Sequence, residues 1–163
     1  MLLQLLILAS FLFSRGHSAC LNPIDQQFGN SCYVFVNERR TYLDAEQHCK
    51  DGVVWSNLAT IDNIIDNNFL ARSAISEFAM NLGDFWIGCF RETVYDYFRH
   101  PDGRPCIFQN FLAPNPSMDF AAVSVANGKW FTHAQETKLP FVCSYPATQT
   151  SSANWIEESA NRN

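Results

Sequence analysis

The residues of this 163-residue chain whose types suit chemistry are six cysteines, a few histidines and scattered carboxylates. Cys20, Cys32, Cys49, Cys89, Cys106 and Cys143 are an even set, and no two have the C-x-x-C spacing of a zinc site. In an oxidising compartment such a set reads as disulfides, three in all. Six cysteines allow fifteen connectivities, and spacing alone selects none of them. His48, His100 and His133 have no serine or cysteine partner in any nucleophile motif. The acid pairs Asp62/Asp66 and Asp44/Glu46 fit helix-start charges better than a catalytic dyad. The reading as a secreted enzyme is therefore remote, and no cofactor or metal site is expected.

Composition narrows the partner. Apolar residues make up 47% and charged residues 17%, as in a folded globule of one domain plus extras. Net charge is −5, and setting aside Arg15 of the leader leaves 10 basic and 16 acidic side chains, a charge of −6. With no basic run, nucleic acid and anionic lipid are poor candidates as the main partner. Leu2 to Phe13 is apolar apart from Gln4 and Ser10, too short to span a bilayer, and small residues follow it. Residues 1–19 read as a secretory signal peptide cleaved after Ser18 or Ala19, with a signal anchor as runner-up. No later segment suits a membrane span, so the mature chain is expected to be extracellular.

The elements that must position a site are arranged around Phe85-Trp86-Ile87-Gly88-Cys89-Phe90. Apolar residues at both parities predict a strand covered on both faces. Gly88 lets another backbone or a ring approach closely. Cys32–Val36 is a second strand. Thr41 and Asp44 form a capping box that opens a helix to about Lys50. A second helix is expected over Asp62–Met80, with Ile61, Ile65 and Phe69, then Ala71, Ile75 and Phe78, at helical spacing. Tyr95–Phe98 reads as a short strand, and Arg99–Asp119 as a long Pro/Asn/Gly-rich loop of the kind that carries function. Phe120–Val125 and a strand starting at Trp130 flank an Asn127-Gly128 hairpin turn. Leu139–Cys143 is a final strand. From Ala147 the tail is polar and expected to be disordered, with Trp155-Ile156 as a candidate docking element within it.

In order and spacing these landmarks resemble the C-type lectin-like domain family over roughly Cys20 to Tyr145. The residues that carry the resemblance are Ala45-Glu46-Gln47-His48-Cys49, Trp86-Ile87-Gly88, Asp102-Gly103-Arg104-Pro105, Phe108-Gln109-Asn110-Phe111 and Phe141-Val142-Cys143. It implies an α+β fold: two helices, small antiparallel sheets and a long irregular loop, stapled by disulfides, over residues 20–146. It pairs Cys20 with Cys32 and Cys49 with Cys143. The family's remaining bridge would join the positions of Phe120 and Gln135, so Cys89 and Cys106 are expected to bond to each other.

The departures bear on function. Sugar-binding members hold calcium through Glu-Pro-Asn in the long loop, a further Glu, and Asn-Asp after a strand Trp. Here those positions read Ala113-Pro114-Asn115, Met118, and Phe131-Thr132 after Trp130. Asn115, with Asp119 nearby, is too small a set for an ion that takes roughly six to eight oxygens. Phe108, Phe111, Phe120 and Trp130 are expected to pack the loop onto the core, and Phe131 to be exposed. The resemblance thus implies a binding module for an extracellular glycan or protein, without calcium and with defence-type roles by association. The residues expected at the ligand are Asn110, Pro114, Asn115, Asp119, Phe131 and Thr132. A calcium-dependent lectin is the alternative. The peptide isomers of Pro114-Asn115-Pro116 are left open.

Overall fold

A computed structural model describes residues 18–52 and 56–149. The expected leader over 1–17, and the tail beyond Gln149 with its Trp155-Ile156, lie outside the described residues.

The chain order is β1 (Ser18–Ala19), β2 (Gln26–Phe28), β3 (Ser31–Arg40), α1 (Tyr42–Gly52), β4 (Asn57–Leu58), α2 (Ile64–Glu77), β5 (Asp84–Phe90), β6 (Phe120–Ser124), β7 (Trp130–His133), β8 (Leu139–Pro146) and β9 (Thr148–Gln149). One sheet has the order β2-β3-β8-β5-β6-β7, with β4 also paired to β8. All its pairings are antiparallel except β5 with β8, where Trp86 stands opposite Phe141. A separate two-stranded ladder joins β1 to β9. Thr148 and Gln149, expected to be disordered, are therefore in a strand, paired with the last two residues of the expected leader.

The central strand is β5, and its pleat explains why apolar residues occur at both parities. Phe85, Ile87 and Cys89 enter a core shared with Leu70, Ala71 and Ala74 of α2. Trp86 points the other way, into a core with Tyr42, Ala45 and Cys49 of α1. Burying the indole contributes about 2–3 kcal/mol, and its Nε1 donates to Arg40 O at 2.9 Å. Gly88 is where β4 crosses: a Cβ there would lie 2.4 Å from Leu58 O, and the Gly88 amide donates to Ala59 O at 2.9 Å.

Helix α1 starts as its capping box requires, with the Asp44 amide donating to Thr41 Oγ1 at 3.3 Å. Asp44 reaches back to the Thr41 hydroxyl (2.7 Å). Helix α2 is shorter than expected. Asn63 caps it by accepting from the amides of Ile65 and Asp66, and it ends at Phe78. Its buried stripe is Asn67, Leu70, Ala71 and Ala74, so Ile65 and Ile75 face outward, a correction to the expected core face. The small Ala71 and Ala74 bring the helix close to the sheet. Asn67 survives in the core because both ends of its amide are paired, accepting from Trp130 Nε1 at 2.7 Å and donating to Gly128 O at 3.0 Å.

Tyr95–Phe98 is not a strand. Asp96 accepts from the Thr93 amide and hydroxyl, each at 2.9 Å, and donates its own amide to Thr93 O. This local turn captures the backbone groups that a ladder would need. Just after this turn, Arg99 makes isolated bridges to Phe90 and to Pro105.

The three bridges are Cys20–Cys32, Cys49–Cys143 and Cys89–Cys106, with Cα separations of 5.6, 5.5 and 6.3 Å. The pairing is the one the resemblance implied. Cys49–Cys143 ties α1 to β8, and Cys89–Cys106 ties β5 to the start of the long loop. Among the described residues no helix is long and apolar enough to cross a membrane.

Candidate functional site

The long loop is held along the exposed edge of β7. The Trp130 amide donates to Asn110 O (3.0 Å), the Leu112 amide to Trp130 O (3.2 Å), and the Asn115 amide to Thr132 Oγ1 (2.7 Å). Phe111 makes a parallel bridge with Trp130. The stretch from Asn110 to Asn115 thus covers β7 as an irregular extra strand, which removes an open sheet edge. Beneath it, Phe108 and Phe111 meet the Trp130 ring edge-on at 5.8 and 5.4 Å. Trp130 is fully buried, Phe108 and Phe111 pack against the same core, and Phe120 packs on the α1 side with Tyr42. Phe108, Phe111 and Trp130 thus hold the loop as expected, whereas Phe120 packs on the other core.

The expected ligand residues fall into two groups. Asn110 sits at the start of β7, where its Nδ2 donates to Gly128 O (2.8 Å) and its Oδ1 accepts from Lys129 Nζ (2.9 Å). Asn115, Thr132 and Asp119 gather at the far end of β7. Thr132 is buried, and its hydroxyl accepts from the Asn115 amide and donates back to Asn115 O, so it anchors the loop from below. Asn115 is exposed; its Oδ1 accepts from the Ser117 amide at 2.9 Å and shapes an Asx turn. Pro114 is exposed at the crest of the loop. Phe131 is half-buried rather than exposed, because β7 alternates and its partner Ala122 on β6 sits in the α1-side core. Every described peptide bond in the loop is trans.

The residue that organises this end is Arg91, which reads in sequence only as the polar boundary of β5. Its Nε donates to Asp119 Oδ1 at 2.9 Å. Its NH2 nitrogen faces the carbonyls of Asn115, Pro116 and Met118 at 3.2, 3.1 and 3.3 Å. The guanidinium carbon lies 5.0 Å from the centre of the Phe98 ring. Arg91 is buried to 9% exposure, whereas the Asp119 side chain keeps 31%. The Asp119 carboxylate and three of the loop's carbonyls thus converge on a guanidinium that is always charged. The only sequence signal for this was an arginine directly after the apolar run Phe85–Phe90.

The described histidines, His48, His100 and His133, are engaged by packing or by hydrogen bonds. His100 is buried, its Nδ1 on Gly88 O, and the neighbouring Cys106 sulfur is committed to a disulfide. His133 Nε2 lies 2.8 Å from Asp84 Oδ2, with its ring edge-on to Trp86. His48 packs edge-on against Phe141. Among the described residues no three His, Cys, Asp or Glu side chains form a group suited to a metal ion. The segment closed by Cys89–Cys106 and the residue after it carry apolar side chains in the open that sequence reading missed: Tyr95, Tyr97 and Ile107 are 95%, 66% and 89% exposed. The signal was available in Tyr95 and Tyr97, which were assigned to a strand.

Comparison with known proteins agrees with this architecture. The chain matches the lectin C-type domain model over residues 38–145. It is 26% identical over 149 residues to a snaclec of Philodryas olfersii, covering 89% of this chain and 91% of that one. Among solved structures it is similar in fold to CEL-IV (TM-score 0.72, 14% identity, 82% of this chain and 99% of that one). It is also similar to the mouse scavenger receptor C-type lectin carbohydrate-recognition domain (TM-score 0.68, 21% identity, 81% of this chain and all of that one). The match over residues 38–145, on a fold with two helices, a mixed sheet and a disulfide-tied long loop, places the chain in the C-type lectin domain family.

Proposed function

We propose that this chain is a secreted, non-enzymatic binding module that engages an extracellular glycan or protein through its long loop and β7, without calcium. The observation that supports it is Arg91. The loop oxygens that a divalent ion would need already serve a guanidinium, and Asp119 is the one carboxylate among them. A calcium ion brought to that place would meet a fixed positive charge, so these residues do not fit the metal. What the loop offers a ligand is Pro114 and the exposed Asn115 side chain at its crest and the Asn110–Lys129 pair at the start of β7, with the half-buried Phe131 on β7. Such a mix of polar donors and apolar faces suits a sugar ring or a loop of a partner protein.

Glycan-array binding in calcium and in excess chelator, with calorimetric titration of calcium, tests this. The expected result is binding of equal strength in both buffers and no heat of calcium uptake. Binding abolished by chelator, or micromolar calcium uptake, would overturn it in favour of a calcium-dependent lectin. Hydrolysis of a bound glycan or protein would overturn the non-enzymatic part.

A further inference from the structure

Helix α2 carries a second surface that the long loop does not use. The outward Ile65 is 65% exposed, and beside it the Phe28 and Phe69 rings stack at 4.3 Å, 8° from parallel. Phe28, Ile65, Phe69 and Ser73 line a hollow of about 350 Å³, completed by Asn68 and Arg72. The same Asn68 and Arg72 border an adjoining hollow of about 290 Å³ between Ile75 and the Ala126–Gly128 turn. Arg72 is exposed on the ridge between the two and makes no hydrogen bond or ion pair to the described residues. An apolar trough with one uncommitted cation on its rim suits a large apolar side chain followed closely by a carboxylate.

We propose that this trough is the docking site of the chain's own Trp155-Ile156-Glu157-Glu158 segment. Trp155 and Ile156 would cover Phe28, Ile65 and Phe69, and the two glutamates would face Arg72. Between positions 150 and 163, Trp155 and Ile156 are the only large apolar residues, and Glu157 and Glu158 the only acids. The geometry brings them within reach. Pro146 and Phe28 are both register partners of Ser31, on opposite sides of β3. They therefore lie two inter-strand spacings apart, about 10 Å. The Ala147 amide then donates to Asn30 O, which keeps the chain beside the β2–β3 turn. The six residues from Gln149 to Trp155 span up to ~20 Å when extended, enough to reach the trough from that edge.

Acrylamide quenching of Trp155 fluorescence in the full mature chain tests the docking. The signal is isolated by subtracting Trp155→Phe in each background. The expected result is a Trp155 contribution several-fold less quenchable than free indole. Arg72→Glu should restore free-indole quenching, and adding Glu157→Arg with Glu158→Arg to it should bring the shielding back. Ile65→Asp, also on the exposed surface, should expose Trp155 without altering Arg72. Near-ultraviolet circular dichroism from the buried Trp86 and Trp130 reports that each variant is folded. Free-indole quenching in the unmodified chain, or no response to either trough substitution, would overturn the proposal. Shielding lost on dilution would also overturn it, since the occupant would then be the tail of a second copy.

Discussion

Arg91 is the perturbation with the most to reveal, because Arg91→Met removes the charge while keeping much of the side-chain bulk. The guanidinium makes one charged bond to Asp119 and presents a single NH2 nitrogen to three carbonyls. Two hydrogens serve those three acceptors, so they count as about two bonds. A hydrogen bond to a charged group contributes about 1.5–3 kcal/mol where water is excluded. Asp119 keeps 31% of its side-chain exposure, so water replaces much of that bond and it is discounted to about 1 kcal/mol. The two carbonyl bonds are taken at about 1.5 kcal/mol together, since loop carbonyls freed of Arg91 also recover water. The Phe98 contact adds about 0.5 kcal/mol. The expected loss is about 3 kcal/mol, or roughly 10 °C in Tm for a domain of this size. Urea unfolding at pH 7 measures it, with an unchanged m-value showing that the unfolded state is the same. Arg91→Lys should recover less than half, because a single ammonium cannot serve both the carboxylate and the carbonyls. A loss below about 1 kcal/mol for Arg91→Met, or full recovery by lysine, would refute the view that this guanidinium holds the loop.

Three further outcomes follow from the packing. Gly88→Ala forces its Cβ against the Leu58 carbonyl, 2.4 Å away, and backbone cannot yield cheaply; a loss of about 3 kcal/mol is expected in the same urea assay. Asn67→Ala strands the buried Trp130 Nε1, while the Gly128 carbonyl keeps its bond from Asn110 Nδ2, for an expected loss of about 1–3 kcal/mol with amide exchange fastest at the β6–β7 turn. Asp66 is held above the usual carboxylate range by burial and then by the nearby Asp62 charge. A raised carboxylate pKa means that ionisation opposes folding: the penalty is absent below the unfolded value of 3.8 and complete once pH exceeds the folded value. Asp66→Asn should therefore melt higher than the parent at pH 7 and match it near pH 3, and a difference independent of pH would count against this.

The parts legible in the sequence were those set by neighbours along the chain. The unbroken apolar run at 85–90, the Thr41–Asp44 cap and the Asn127-Gly128 turn each carry their cause within a few residues. The disulfide pairing was legible only through resemblance, since the cysteines themselves left fifteen possibilities. What stayed hidden was set by distant partners. Of the expected α2 face, Ile61, Ala71 and Phe78 are buried, but Ile65 and Ile75 were misjudged because they repeat as helically as the buried Leu70 and Ala74. Only Trp130, far along the chain, makes Asn67 an interior residue. Arg91 looked like an ordinary polar boundary because its acceptors lie 24 to 28 residues later, and most of them are backbone carbonyls without a sequence signature. Tyr95–Phe98 has strand-like composition, but the Thr93–Asp96 turn takes its hydrogen bonds first.

The bridges at Cys89–Cys106 and Cys49–Cys143 are nested, the first lying wholly inside the second. Exposed Tyr95 and Tyr97 between Cys89 and Cys106 are open to digestive proteases. A single cut there leaves two pieces joined by two covalent links, one beside the cut and one across the sheet. Such a nicked molecule would migrate as one band until reduced, keeping its loop crest on the same β7 edge. The chain is built to survive a cut in this exposed turn, as the secreted module proposed above would need to.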